Sequence, residues 1–189
     1  MTDKAKQLLL GDAIAIDQRA TAKNVRDFFE NYFDRWLGIA GLDPVSLSVI
    51  DDSHLSSPKM DASGVSAHTG INHQEDSTLQ ILLAERACFA VAKSINRCRE
   101  TPGMRYRTIM KECYLKGLND QAVMGLLGYQ HSWFENLKRR AECNFADTWA
   151  KYKKECDVDS LDDLRVFRDN TKTGNERGQK QLDNGSCAV

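Results

Sequence analysis

A short stretch of the chain, residues 130–140, is rich in side chains that form hydrogen bonds with DNA. Asparagine and arginine can each make two hydrogen bonds to a purine in the major groove, while lysine and arginine neutralise phosphates. At about 3.6 residues per turn, Ser132, Asn136 and Arg139 fall on one face of a helix. The stretch therefore predicts a helix whose polar face reads duplex DNA. Its candidate contact residues are Gln130, His131, Ser132, Trp133, Glu135, Asn136, Lys138, Arg139 and Arg140.

The candidate residues divide into two roles by their position around that helix. Asn136 and Arg139 lie one turn apart on the outward face, where asparagine suits adenine and arginine suits guanine. Lys138 and Arg140 lie nearer its edges, where phosphates are expected. Two further side chains have alternative roles. Glu135 accepts from a cytosine amino group or repels phosphates, and Trp133 packs on a sugar or on the neighbouring helix.

The residues before this stretch predict a second, shorter helix and a tight turn. Gly117 can end an earlier helix, and Asn119 or Asp120 can cap the next one by accepting from its free N–H groups. Gly128 follows as the residue best able to adopt a left-handed conformation. Beyond it, apolar residues recur at helical spacing: Phe134, Leu137, Ala141 and Phe145. This pattern is typical of a helix-turn-helix, whose second helix enters the major groove; a helical hairpin that does not bind DNA is the alternative.

The charge distribution favours a local DNA-binding patch. The chain has 26 Lys and Arg against 27 Asp and Glu, a net charge of −1. Residues 104–154 contain ten Lys and Arg against five Asp and Glu, so this part carries +5 and the remainder −6. The near-neutral total argues against a polycation that coats nucleic acid. A positive field beside the predicted motif is expected to attract phosphate.

Catalysis, metal binding and membrane insertion have little support. The six cysteines form no C-x-x-C pair and the four histidines show no ligand spacing, so neither a metal nor a cofactor is expected. The Asp51-Asp52-x-His54 cluster lies in a Ser-rich segment and is interpreted as a solvated turn. The sequence contains no phosphate-binding loop, no nucleophile motif and no apolar stretch that could span a bilayer. We therefore expect a cytoplasmic protein with reduced cysteines that is not an enzyme.

The spacing of apolar residues predicts an all-α protein in five parts. Residues 1–38 form N-terminal helices, the second running from a cap at Thr21 to a stop at Gly38. One face of this helix carries an aromatic stripe: Val25, Phe28, Phe29, Tyr32, Phe33, Trp36 and Leu37. The stripe is interpreted as a core face, with a groove for a partner helix as the alternative. Residues 39–75 form a linker or a long ordered loop. The other parts are a helical domain (76–154) with the helix-turn-helix (119–149), a short helix capped by Ser160 (155–169) and a disordered tail (170–189).

Two helices precede the motif within the helical domain. The first begins near Asp76 and reaches about Arg99. Thr101-Pro102-Gly103 then breaks the chain, and a second helix occupies residues 104–116.

Short motifs between residues 24 and 152 follow one another in a distinctive order. They are Ser57-Pro58-x-Met60-Asp61, Ala90-Val91-Ala92 through Ile95-Asn96, Arg107-x-Ile109-Met110 with Tyr114-Leu115, and Asp120, Leu127-Gly128-Tyr129 and Phe134-x-x-Leu137-Lys138-Arg139-Arg140-Ala141-x-x-x-Phe145-Ala146. In this order they resemble the ArpU family of phage-encoded transcriptional regulators. The resemblance implies a helical bundle with a C-terminal helix-turn-helix of the sigma-factor region-4 type. It also implies a DNA-binding activator of late or lysis genes in the bacterial host cell, which acts on double-stranded DNA with host RNA polymerase.

Three features depart from the family's pattern. Met124 stands four residues before Gly128, where many helix-turn-helices have a small residue, and Gly125 beside it offers compensation. Trp133 is bulky on the rim of the recognition face, and the break from Arg99 to Arg105 is longer than expected. Two other classes share the motif: a phage small terminase subunit or Q-like antiterminator, and a helical protein-interaction module without DNA binding.

Overall fold

The structure, a computed structural model, describes residues 16–49 and 73–168. In chain order its elements are α1 (Gln18–Phe28), a π-helical turn (Phe29–Phe33), α2 (Asp34–Ala40), α3 (Pro44–Val49), α4 (His73–Asn96), the strands β1 (Glu100–Thr101) and β2 (Met104–Arg105), α5 (Tyr106–Met110), a second π-helical turn (Lys111–Leu115), α6 (Asp120–Leu127) and α7 (His131–Glu155). Within these residues the prediction of an all-α protein is confirmed, with one short hairpin as the exception.

The described residues belong to two compact units. Residues 18–165 form the larger unit. The smaller one includes residues 16–17 and 166–168, where Ile16 and Phe167 form an antiparallel bridge. Residues 16–17 are therefore not helical, and the rest of the first predicted helix lies outside the described ranges. All the elements named above belong to the larger unit.

The long helix α7 is the centre of the larger unit. Its apolar face packs against α1, α4 and α5, and Phe145 and Trp149 on that face are fully buried. The Phe145 ring lies 5.1 Å from the Phe29 ring, and the Trp149 ring lies 5.2 Å from the Phe28 ring. Burial of each such ring stabilises the fold by about 1.5–3 kcal/mol. The core therefore fixes the position of α7.

The aromatic stripe of α1 and α2 is a core face, as the sequence predicted. The stripe's buried members are Val25, Phe28, Phe29, Phe33 and Leu37, whereas Tyr32 is 56% exposed. Because this stripe packs on α7, residues 18–40 belong to the same unit as the C-terminal helices. The predicted domain boundary at residue 38 is therefore wrong.

The ends of these first helices also differ from the prediction. Thr21 is buried within α1 instead of capping it. The helix continues past Gly38 to Ala40 and ends at Gly41, whose φ of +64° lies in the left-handed region. A glycine at either position could end the helix, but Gly41 is the one that adopts the left-handed conformation.

A short helix occupies the start of the predicted linker. α3 begins at Pro44, whose missing N–H is tolerated at the first helical position, and the Asp43 carboxylate accepts from the Ser46 N–H (2.9 Å). Six residues are too few to show a helical period, so the apolar pattern did not predict α3. The Asp51–His54 cluster, the Ser57-Pro58 motif and the tail of residues 170–189 lie outside the described residues.

The break at Thr101-Pro102-Gly103 is the turn of a β-hairpin. β1 and β2 pair antiparallel, with Glu100 opposite Arg105 and Thr101 opposite Met104. The helix predicted over residues 104–116 therefore begins two residues later, at Tyr106. A strand of two residues has no apolar alternation, and for this reason the pattern indicated a break and not a hairpin.

Two side chains attach this hairpin to neighbouring helices. The Asn144 Oδ1 of α7 accepts from the Arg99 N–H (2.9 Å). The Glu100 carboxylate accepts from both the backbone N–H (3.1 Å) and the hydroxyl (2.7 Å) of Thr108 in α5. The hairpin is thus held against α7 by one contact and against α5 by the other.

Residues 156–165 do not form the predicted short helix. The chain turns after α7 at Asp157, whose φ is +57°, and then runs without regular structure. Two side chains of α7 donate to carbonyl groups of this segment, the Trp149 indole over 3.1 Å and the Lys153 ammonium over 2.6 Å. These two carbonyls find their partners on α7, so they are satisfied although the segment is not helical.

Candidate nucleic-acid interface

The two helices on either side of Gly128 are joined as the sequence predicted. The Asn119 side chain caps α6, with its Oδ1 accepting from the Ala122 N–H (2.8 Å). Gly128 adopts a φ of +70°, and its N–H donates to the Met124 carbonyl. A Cβ at Gly128 would meet nothing within 4 Å, so glycine is required for the backbone conformation and not for space. The next helix, α7, begins at His131.

One face of α6 packs on the core that supports α7. Val123 is fully buried, while Met124 and Leu127 are half-buried against the cluster that contains Leu137. The core therefore accommodates Met124 where a small residue is usual. The expected compensation by Gly125 is not needed, because a Cβ at that position would meet nothing within 4 Å.

The nine predicted contact residues lie on the solvent side of α7 or at its start. On the opposite side Phe134, Leu137 and Ala141 are buried, as predicted. The exposed members of the set are Gln130, His131, Ser132, Trp133, Glu135, Asn136 and Arg140, and the half-buried members are Lys138 and Arg139. We call these nine residues the polar face of α7.

Two weak contacts occur within the polar face. The Asn136 amide donates to the Ser132 carbonyl one turn earlier (2.9 Å). The His131 Nδ1 lies 3.6 Å from the Glu135 Oε1, which makes an ion pair only when the imidazole is protonated. Such neighbours on an exposed helix contribute about 0.2–0.5 kcal/mol per pair. A ligand that offers better hydrogen bonds can therefore displace both contacts.

Lys138 is directed towards α6 and away from the other members of the polar face. Its Nζ lies 2.6 Å from the Asp120 Oδ1 and 5.7 Å from the centroid of the Tyr114 ring, and its side chain is 18% exposed. Lys138 thus connects the start of α6 to α7, whereas the sequence predicted an outward contact with phosphate. The pairing depends on how α6 folds back onto α7, which the position of Lys138 within its own helix did not reveal.

The helix α1 borders the polar face on one flank. A cleft of about 490 Å³ lies there, lined by Arg19 and Arg26 from α1 and by Glu135 and Arg139 from α7. Sequence reasoning missed Arg19, because its position beside the polar face depends on the packing of α1 against α7. An additional cation is therefore placed at the edge of the predicted DNA-binding surface.

A buried carboxylate holds α1 to α7 beside this cleft. Glu142, whose side chain is 0% exposed, accepts from the Arg26 Nε (2.9 Å) and Nη2 (3.0 Å). The Tyr114 hydroxyl also donates to Glu142 (2.7 Å). The hydrogen bond that Arg26 donates to Glu142 raises the pKa of Arg26. Burial, followed by the charge of Glu142, raises the pKa of Tyr114. Both donors therefore keep their protons at neutral pH.

The β-hairpin borders the polar face on the opposite flank. Arg140 and Asn144 lie one turn apart on α7, on the side away from Glu135. A second cleft, of about 380 Å³, is lined by these two residues together with Arg99 and Met104 of the hairpin. The polar face is therefore flanked by arginines on both sides.

In the part of the chain that the structure describes, no group of three or more His, Cys, Asp or Glu side chains could hold a metal ion. Burial raises the pKa of the Cys88 and Cys98 thiols to about 12. Both thiols therefore stay protonated at neutral pH and pack as small apolar groups. Within residues 16–49 and 73–168, no helix has the length and apolar composition needed to cross a membrane.

Comparison of the chain with protein-family models, with curated proteins and with solved structures found no match.

Proposed function

We propose that the chain is a sequence-specific DNA-binding regulator of transcription, with α6 and α7 as a helix-turn-helix of the sigma region-4 type. The observation that carries the proposal is the division of α7 between residues 131 and 141 into a buried apolar face and an accessible polar one. The major groove is about 12 Å wide and admits one α-helix. A capped helix pair with a left-handed turn presents its second helix in a manner suited to that groove.

Asn136 and Arg139 are the proposed base-reading residues. The amide of Asn136 makes a contact within its own helix that DNA could replace, and Arg139 lines an open cleft. Arginine suits guanine and asparagine suits adenine in the major groove. Arg140, nearer the hairpin, is suited to a phosphate of the adjoining backbone.

The resemblance to the ArpU family extends this proposal to a role in the cell. Under it, the protein is a phage-encoded activator of late or lysis genes that works with RNA polymerase in the host cytoplasm. Three residues that carry the resemblance have positions that suit a helix-turn-helix: Gly128 makes the turn, and Phe134 and Leu137 pack α7 onto the core.

A protein-binding module is the second candidate, because two apolar side chains are exposed on the same helix pair. Leu126 on α6 is 61% exposed and Trp133 on α7 is 52% exposed. Single exposed apolar residues are common on soluble proteins. If the helix pair binds a protein instead of DNA, Trp133 is the expected anchor, since tryptophan is enriched among residues that dominate binding energy.

Selection of genomic fragments tests the proposal directly. The purified full chain is mixed with fragments of the source genome, and the bound fragments are recovered and sequenced beside those bound by Asn136→Ala/Arg139→Ala. The wild-type chain should enrich fragments that share a short sequence, and the double variant should lose that enrichment. Failure of the wild-type chain to bind any duplex at low salt would overturn the proposal and favour the protein-binding module.

A measurement of size separates the regulator from a terminase subunit. A small terminase subunit forms a ring of many chains, so light scattering of the purified protein would give a large, uniform assembly. A regulator of the proposed type should give no such ring. Detection of a ring would reassign the DNA-binding face to genome packaging.

A further inference from the structure

We infer that the β-hairpin around residues 99–105 is a second DNA-binding element, which contacts the phosphate backbone beside the groove that α7 enters. The inference rests on the proposed function of α7 and adds a phosphate-binding site to it. It is carried by the charge of the hairpin, by its attachment to α7 and by its distance from the start of that helix.

The hairpin presents two cations to solvent, and the acid between them is bound to a neighbouring threonine. Arg99 and Arg105 are both exposed. Glu100, the only acid between them, uses its carboxylate to accept from the Thr108 N–H and hydroxyl, at 3.1 Å and 2.7 Å. Glu100 is itself exposed and keeps its charge, so residues 99–105 carry a net charge of +1, but its carboxylate forms an ion pair with neither arginine.

The main chain of Arg99 is fixed on both sides. Its N–H donates to the Asn144 Oδ1 of α7 (2.9 Å), and its carbonyl accepts from the Tyr106 N–H (3.1 Å). The guanidinium lies along the hairpin, with Nη1 3.9 Å from the Met104 sulfur, a weak acceptor that leaves most of its donors available. Fixing the main chain of Arg99 before binding reduces the entropy lost when its side chain binds a phosphate.

The attachment point lies where the DNA backbone is expected to pass. Along α7, with a rise of about 1.5 Å per residue, Arg140 is about 14 Å and Asn144 about 20 Å from His131. Because the major groove is about 12 Å wide, a helix that enters by its first turn meets the bordering phosphates near Arg140. Arg99 lines the same cleft as Arg140, so the two arginines can contact phosphates of the same strand.

One acid lines this cleft and opposes the inference. Asp147 lies two turns beyond Arg140, on the side of the cleft farther from the start of α7. A phosphate bound between Arg99 and Arg140 would therefore lie nearer to the arginines than to Asp147. With Arg105 beside them on the hairpin, cations outnumber acids at this border of the polar face.

The test compares two variants with the same change in net charge. Arg99→Gln/Arg105→Gln removes the hairpin cations, and Arg35→Gln/Lys154→Gln removes two exposed cations from α2 and from the far end of α7. Each full chain is titrated with a labelled duplex of about three helical turns, at salt concentrations from about 50 to 200 mM. Hydroxyl-radical cleavage of the bound duplex locates the protected backbone.

The hairpin variant should lower the salt slope by about 0.9 for each phosphate that the protein no longer neutralises, while the control variant keeps the wild-type slope. It should also lose a patch of backbone protection at the edge of the footprint and leave the centre protected. Arg99→Lys/Arg105→Lys should restore both, because lysine also neutralises phosphate.

The outcomes distinguish this inference from the function on which it rests. If the wild-type chain binds DNA through the polar face but the hairpin variant matches the control in slope and footprint, the hairpin inference is wrong and the proposed function stands. If the wild-type chain binds no duplex, both are wrong. A hairpin variant with an unchanged melting temperature excludes misfolding as the reason for its weaker binding.

Discussion

The Arg26 guanidinium binds the Glu142 carboxylate through two hydrogen bonds, of 2.9 Å and 3.0 Å, and thereby joins α1 to the helix that carries the polar face. A bidentate pair of this kind is the strong form of an arginine–carboxylate contact. Because Glu142 is fully buried, its charge would have lost water with only the Tyr114 hydroxyl as partial compensation if Arg26 were absent. The pair therefore specifies where α1 packs on α7 more than it adds net stability.

Replacing Arg26 by Ala should destabilise the protein by about 2–3 kcal/mol in urea unfolding. Breaking a buried pair costs roughly 3–5 kcal/mol, and the cost is smaller here because the Arg26 side chain is 47% exposed. Lys23→Ala, an exposed change on the same helix, is the control and should stay within about 0.5 kcal/mol of wild type. Equal effects from the two substitutions would show that the pair does not hold α1 in place.

Two glycines of α6 and its turn should respond to substitution in opposite directions. Gly128→Val should cost about 1–3 kcal/mol, because a β-branched residue resists the φ of +70°. Gly125→Ala should instead stabilise by about 0.5–1 kcal/mol, since Gly125 lies within the helix with open space around its Cα. Thermal melting of both variants measures the difference. A Gly128→Val protein that melts like wild type would show that the turn does not need its left-handed residue.

The core beneath the polar face can be tested with two leucines. Leu137 is 2% exposed, so Leu137→Ala should leave a cavity and cost roughly 2–5 kcal/mol in chemical denaturation. Leu126 is 61% exposed, and Leu126→Ala should change stability by no more than about 0.5 kcal/mol. Similar losses for both would contradict the assignment of the buried and exposed faces.

Base contacts and phosphate contacts should separate on the polar face. Asn136→Ala and Arg139→Ala should each weaken binding to the preferred duplex by about 1–3 kcal/mol and have little effect on a scrambled duplex. Arg140→Ala should weaken binding to both duplexes alike and lower the salt slope by about one phosphate's share. Titration of each variant against both duplexes at two salt concentrations measures these effects.

A different result would change the assignment of the polar face. Equal losses on the preferred and scrambled duplexes for Asn136→Ala and Arg139→Ala would mean that neither residue reads a base. The helix would then hold the DNA backbone, and sequence preference would come from a partner such as RNA polymerase.

Lys138 should behave as a structural residue, in contrast to Arg140. Because its ammonium binds Asp120 instead of facing outward, Lys138→Ala should leave the salt slope of DNA binding unchanged. It should lower stability by about 0.2–1 kcal/mol, the range for partly exposed ion pairs. Asp120→Asn should reproduce that loss, and the double variant should lose little more than either single one. A salt slope reduced as much as by Arg140→Ala would restore Lys138 to the phosphate-binding residues.

The features of the helix pair that could be predicted depend on residues close together in the chain. The cap at Asn119 needs only the helix start beside it, and the turn at Gly128 needs only its own φ. The burial of Phe134 and Leu137 follows from helical spacing. These local signals were sufficient to divide α7 into two faces.

What could not be predicted depends on which elements pack together. The stripe of α1 indicated a core face but not that its partner is α7, so the positions of Arg19 and the buried Glu142 were missed. The sequence predicts an outward-facing Lys138, because its salt bridge to Asp120 forms only when α6 folds back onto α7. Residues 156–165 have helical apolar spacing, but α7 supplies the hydrogen-bond partners that a helix would otherwise provide.

The length of α7 determines how much of the protein must become ordered when a ligand binds. The helix has 25 residues, about 37 Å at its ordinary rise, and its later turns contribute Phe145 and Trp149 to the core. A segment that folds only when it meets its ligand loses conformational entropy at that moment, which lowers its affinity. Here the backbone of residues 131–140 continues a helix already anchored by the core, so that entropy is lost during folding. Association at this surface should therefore require the ordering of side chains alone.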